Sequence, residues 1–109
     1  MLQWLKKVIH MLTPQPVEIP ANARLIDVRS AGEFANGHIE GAINLPLDSI
    51  ASQIKKVCDK IDEPLVLYCQ SGMRSSLARQ QLMSQGYQQV VNGGGVGSLA
   101  LRLQKQIIR

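Results

Sequence analysis

Leu65-Val66-Leu67-Tyr68-Cys69-Gln70-Ser71-Gly72-Met73-Arg74-Ser75-Ser76-Leu77 runs from an apolar segment through a cysteine and a glycine-containing loop towards a helix. Leu65 to Tyr68 is short, apolar and follows Pro64, which reads as a buried strand. Ser75 to Gln85 places Leu77, Ala78 and Leu82 at amphipathic helical spacing, so a helix is predicted there. Cys69 therefore sits at the C-terminal end of a strand, where open α/β sheets bind their ligands.

Working outward, short strands and helices alternate from residue 24 onward. The pattern predicts strands at Arg24 to Val28, Ala42 to Leu45 and Gln89 to Val91. Helices are expected over Ser30 to Phe34, Leu47 to Lys60, and Gly97 to Ile108. This order is that of an α/β fold with a central, mostly parallel sheet flanked by helices. At 109 residues, with 45% hydrophobic and 18% charged, the chain is one domain able to bury its own core. Asp27-Val28-Arg29 ends the first strand and should share the rim with Cys69.

The loop after Cys69 contains what a reactive thiolate needs. Gly72 allows positive φ, and successive backbone amides of Gln70, Ser71, Gly72 and Met73 can form an anion-binding nest. The first turn of the next helix adds unpaired N–H groups at Ser75 and the positive end of its dipole. Arg74 adds a permanent cation suited to an oxyanion. Together these lower a thiol pKa and hold an anionic substrate against it. A cysteine closing an apolar run, taken alone, is an ordinary core residue; Gly72, Arg74 and Ser75 at this spacing favour function. Cys58, in the charged stretch Lys55-Lys56-Val57-Cys58-Asp59-Lys60, reads as a bystander, and two such different cysteines do not suggest a disulfide framework.

Composition narrows the partners. A net charge of +4 suits small anions or acidic partners, while one Trp, two Tyr and one Phe, none grouped, argue against nucleic acid. His10 and His38 have no paired ligand spacing with the cysteines, so no metal is expected. In the first twelve residues Leu2, Leu5, Ile9 and Leu12 share one helical face. No stretch reaches the ~20 apolar residues of a membrane span. Residues 1–23 are read as an amphipathic arm and linker, broken by Pro14 and Pro16, leaving 24–109 as the domain. Packing on the domain is favoured for the arm, with a membrane surface or a partner as alternatives. Lys6 and Lys7 interrupt the apolar run, which makes a poor export signal despite Ala21-Asn22-Ala23; a cytoplasmic location is expected, periplasmic if the segment does act in export.

Leu25-Ile26-Asp27-Val28-Arg29, Glu33-Phe34, Gly37-His38-Ile39-Glu40-Gly41-Ala42-Ile43-Asn44-Leu45-Pro46, Cys69 to Ser75 and Gly94-Gly95 together resemble the single-domain rhodanese family of sulfurtransferases. The likeness covers most of residues 24 to 103, and is to the small bacterial stand-alone members in particular. It implies a three-layer rhodanese-like fold and a thiosulfate sulfurtransferase. Cys69 would carry a persulfide, taking sulfur from thiosulfate or a related donor and passing it to cyanide, a thiol or a protein acceptor. Gln70, Ser71, Gly72, Met73, Arg74 and Ser75 would bind substrate, and no cofactor is implied. Asp27, Arg29, Glu33 and His38 would be scaffold positions near the site, with Arg29 and Glu33 an ion pair. Where the family often has tryptophan beyond the double glycine, this chain has Leu99, which should fill that core position.

Two other readings stay open. A cysteine phosphatase or arsenate reductase resembles C-x5-R, whereas this chain reads C-x4-R, a tighter ring. A rhodanese-like sulfur-relay or interaction module without turnover is the alternative outside enzymes, although inactive relatives typically lose the cysteine.

Overall fold

The computed structural model describes residues 18–109. The amphipathic helix expected within residues 1–17 lies outside them. The elements are β1 (Arg24–Asp27), α1 (Ala31–Ala35), β2 (His38–Ile39), β3 (Ile43–Asn44), α2 (Leu47–Val57), β4 (Leu65–Cys69), α3 (Met73–Ser84), β5 (Val90–Gly95), α4 (Val96–Leu103) and β6 (Ile107–Ile108). The sheet order is β3-β1-β4-β5, with every pair parallel. β2 and β6 form a separate antiparallel ribbon, His38 opposite Ile108.

Alternation along the central strands makes the layers. On β4, Leu65, Leu67 and Cys69 face one way and join Ile26, Val28, Ile50, Ile54, Ala78, Leu82 and Tyr87 under α2 and α3. Val66 and Tyr68 face the other way, against Leu25, Ile39, Leu99 and Ala100 under α4 and β2. All of β4 is buried, as a strand covered on both faces must be. Ile19 and Ala23 pack on the second cluster, which anchors the chain just before β1. The α/β fold with its mostly parallel, helix-flanked sheet is as expected, and Leu99 is buried in the core.

Several boundaries differ from the sequence expectation, each for a local reason. α3 starts at Met73 rather than Ser75, because Gly72 takes φ 93° and turns the chain straight from loop to helix. On that helix Ser75, Ala78 and Leu82 are buried, while Leu77 is 52% exposed instead of facing the core. β5 runs on to Gly95 through three glycines, a composition that disfavours strand but here allows close approach to the site loop. α4 ends at Leu103, where Gln104 adopts φ 56°, so Ile107 and Ile108 leave the expected helix to pair with β2. α2 stops at Val57, with Cys58 already extended.

Candidate active site

Cys69 closes β4 and has no exposed surface. The Gly72 N–H donates to Sγ at 2.9 Å, because left-handed Gly72 aims its amide back at the strand end. The Ser75 Oγ lies 3.5 Å from the same sulfur. Burial pushes the Cys69 thiol up, but the Ser75 hydroxyl and the backbone amides of Ser75, Ser71 and Gly72 outweigh it, leaving the pKa below the ordinary thiol value. Cys58 shows the opposite balance: burial raises its pKa, and the Glu63 carboxylate beside it raises it further. One thiol is tuned towards ionisation and the other away from it.

Ser71, Gly72 and Ser75 thus converge on the sulfur, whereas Gln70 is exposed and Met73 is 76% exposed. Arg74 lies in the first turn of α3 and reaches sideways, gripping Glu33 of α1 through Nη1 to Oε1 at 2.6 Å and Nη2 to Oε2 at 2.9 Å. Its positive charge still acts on Cys69. Glu33 also completes a capping box with Ser30 at the start of α1, which orients its carboxylate. The Arg29–Glu33 pair expected from the sequence is therefore replaced. Arg29 instead binds Asp27, with Nη2 to Oδ2 at 2.7 Å, and its Nη2 also reaches the Gly37 carbonyl at 2.6 Å. Both partners of that pair are buried, and the guanidinium lies 5.8 Å from the centre of the Tyr68 ring. His38 stacks on Phe34 at 3.7 Å and its Nδ1 meets the Phe34 carbonyl at 2.9 Å, an arrangement that fixes a turn.

An open cleft of about 390 Å³ lies on this rim, lined by Val28, Ser30, Ala31, Pro46, Leu47, Asp48 and Arg74. A larger cleft, about 570 Å³, lies beside Arg24 and Pro64, where β1 and β4 begin. The first is at the carboxyl ends of the strands, where loops lead into helices, and is the better placed for chemistry. Among the described residues no group of acids, histidines and cysteines could hold a metal ion.

Sequence reasoning missed Asn92. Its Nδ2 donates to the Gly72 carbonyl at 3.0 Å, and its Oδ1 accepts from Ser75 Oγ at 2.7 Å. The only signal was its place just before the glycines. The glycines themselves have a steric role, since a Cβ on Gly95 would lie 2.7 Å from the Gln70 carbonyl oxygen.

A family model described as "Rhodanese-like domain" matches residues 2–96. The chain belongs to the rhodanese-like family. Similar rhodanese relatives include the thiosulfate sulfurtransferase GlpE of Shewanella oneidensis, 36% identical over 88 residues that span 79% of this chain and 85% of that protein. The uncharacterized protein YqhL of Bacillus subtilis is 41% identical over 70 residues, covering 64% of this chain and 54% of its own length. This chain thus spans about half of one relative and most of the other. A solved rhodanese from E. coli, with anions, superposes with a TM-score of 0.67 at 32% identity, covering 69% of this chain and 88% of that one. Among the described residues no helix is long and apolar enough to cross a membrane.

Proposed function

We propose that this rhodanese-like protein is a sulfurtransferase that carries sulfane sulfur on Cys69. The observation that carries the reading is the Gly72 N–H at 2.9 Å from Sγ, joined by the Ser71 and Ser75 amides in lowering the thiol pKa. The Cys69 thiolate attacks the outer sulfur of thiosulfate. The S–S bond of thiosulfate breaks, sulfite leaves with the bonding pair, and Cys69 becomes a persulfide bearing the negative charge. A thiophilic acceptor, cyanide or a thiol, then attacks the outer sulfur and returns Cys69 as thiolate. No metal or organic cofactor enters the cycle.

The loop amides supply the preorganised donors for a charge that stays negative throughout. Arg74 adds the long-range positive field, and its grip on Glu33 uses only some of its N–H groups, which leaves others for an oxyanion. The loop also argues against phosphate chemistry: three residues separate Cys69 from α3, and the arginine already belongs to the helix. A protein acceptor remains compatible with the exposed Met73 at the loop's edge.

The test is intact mass after incubation with thiosulfate. A gain of one sulfur atom, removed by cyanide and absent in Cys69→Ser, is expected. Wild-type protein that gains no mass with any sulfane donor sinks the reading.

A further inference from the structure

We propose that Asn92 is a positioning residue for Cys69 that acts through the Ser75 hydroxyl, holding the Ser75 proton while Cys69 is a thiol and yielding it when Sγ becomes negative. The geometry is independent of sulfur transfer, but its purpose rests on Cys69 being the sulfur carrier proposed above.

Asn92 sits where the β4–β5 register shifts: Leu67 pairs with Asn92, but Cys69 pairs with Gly95. The irregularity turns the Asn92 side chain into the site loop. Its amide orientation follows from two backbone partners. The Gly94 N–H, which can only donate, is 3.0 Å from Oδ1, and the Gly72 carbonyl, which can only accept, is 3.0 Å from Nδ2. Oδ1 is therefore the atom 2.7 Å from Ser75 Oγ, and Ser75 must be the donor.

A hydroxyl has a single proton, and Ser75 Oγ also lies 3.5 Å from Cys69 Sγ. With that proton on Asn92, Ser75 turns a lone pair towards the sulfur. This suits a neutral thiol, which donates S–H to Oγ, and it opposes a thiolate. When the thiol loses its proton to water, rotation about the Ser75 Cβ–Oγ bond brings the hydroxyl proton onto Sγ. Oδ1 is not orphaned, because the Gly94 N–H stays on it. Apart from the S–H bond that ionises, no covalent bond changes. Once sulfur is loaded and the charge moves to the outer atom, Ser75 can return its proton to Asn92. The same amide steadies the Gly72 carbonyl, and Gly72 donates its N–H to Sγ at 2.9 Å.

The test is the pH dependence of iodoacetamide alkylation, followed by peptide mass so that Cys69 is read apart from Cys58. Four proteins are compared: wild type, Asn92→Asp, Ser75→Ala and the double variant. A carboxylate at position 92 holds the Ser75 proton more tightly, so Asn92→Asp should raise the Cys69 pKa about one unit more with Ser75 present than in the Ser75→Ala background. Equal shifts in the two backgrounds, or a larger one without Ser75, overturn the proposal. Should Asn92→Asp not fold, the S–H stretch decides it in wild type, taken as the difference from Cys69→Ala. A Cys69 band below that of a free thiol, moving up in Ser75→Ala, is expected; a band at the free-thiol frequency overturns the proposal. Neither readout uses a sulfur donor. Failure to load sulfur would therefore sink the carrier role alone, and additive shifts with normal loading would sink this inference alone.

Discussion

The carboxylate of Glu33 holds the Arg74 guanidinium end-on, across 41 positions of sequence, at 2.6 and 2.9 Å. The contact ties α1 to the first turn of α3, and so ties one wall of the rim cleft to the loop around Cys69. Its donor and acceptor are each about a third exposed, 37% and 36%, so solvent screens the pair. Its main consequence is to position a cation, with a smaller effect on stability.

Glu33→Gln should show both effects. The Arg74 side chain, with Ser30 assisting against the penalty of burial, holds the Glu33 carboxyl down at about 2. A folded-state pKa below the ordinary one means that the charge stabilises at neutral pH. That contribution fades as pH falls from the usual carboxylate range, ~4.3, towards about 2. Glu33→Gln should cost about 0.5 kcal/mol near neutrality, a screened-pair magnitude. Urea midpoints should show the gap between the two proteins closing as the pH approaches 2. A gap constant across that range would exclude the ion pair as its source. With Arg74 no longer held, KM for thiosulfate should rise about fivefold, on the order of 1 kcal/mol, while the Cys69 pKa moves little.

The two thiols should separate cleanly in reactivity. Cys69 is pulled below the ordinary thiol pKa by the hydroxyl and amides around it, despite burial. Cys58 is pushed up by burial and by Glu63. At neutral pH iodoacetamide should modify Cys69 at least about tenfold faster than Cys58, since only the thiolate attacks. Cys58→Ser should leave sulfur loading intact, and Cys69→Ser should abolish it. Equal labelling of the two would remove the electrostatic argument for Cys69.

Gly95→Ala tests the close approach of β5 to the site loop. Gly95 has φ −86°, which alanine adopts without strain, so any effect is steric. The added methyl would stand 2.7 Å from the Gln70 carbonyl oxygen and displace the loop carrying Ser71 and Gly72. A stability loss of about 1–3 kcal/mol is expected, as for other overpacked sites. Sulfur loading should slow more than tenfold, on the order of 1.4 kcal/mol or more. Thermal melts and loading rates that match wild type would show that the loop is free of β5.

Much of this was legible in the sequence because it depends on local pattern. The apolar run Leu65 to Tyr68, the loop at Gly72 and the alternation of elements are all statements about neighbours in the chain. The pairings were less legible. Arg29 and Glu33 lie close in sequence and read as partners, yet Arg29 turns back to Asp27 and Glu33 meets Arg74 from a distant helix. Asn92 had no chemical signature of its own, since its role arises from a register shift between strands. The exposed pair Ile107 and Ile108 read as the end of the last helix, yet left-handed Gln104 stops that helix and the pair crosses to β2. In each case a long-range contact overrode a local rule that was itself sound.

The Asp27–Arg29 pair is the last case, and it separates the cost of breaking a buried pair from its net worth. Asp27 has no exposed surface and Arg29 is 5% exposed, so neither charge is well solvated. Asp27 accepts from the Arg29 backbone N–H at 2.8 Å as well as from its guanidinium, and Asn44 Nδ2 binds the Asp27 and Arg29 carbonyls. This network joins the ends of β1 and β3 beneath the rim cleft. Asp27→Ala strips the buried guanidinium of its ion-pair partner, leaving the Gly37 carbonyl, the face of Tyr68 and the more distant Glu33 charge, and should cost about 3–5 kcal/mol. Arg29→Met in the same chain removes the orphaned charge and should recover much of that loss. Urea unfolding of the two single variants and the double variant measures the coupling. If the double variant is no more stable than Asp27→Ala, the cost lies in lost packing around β1 and not in a stranded charge.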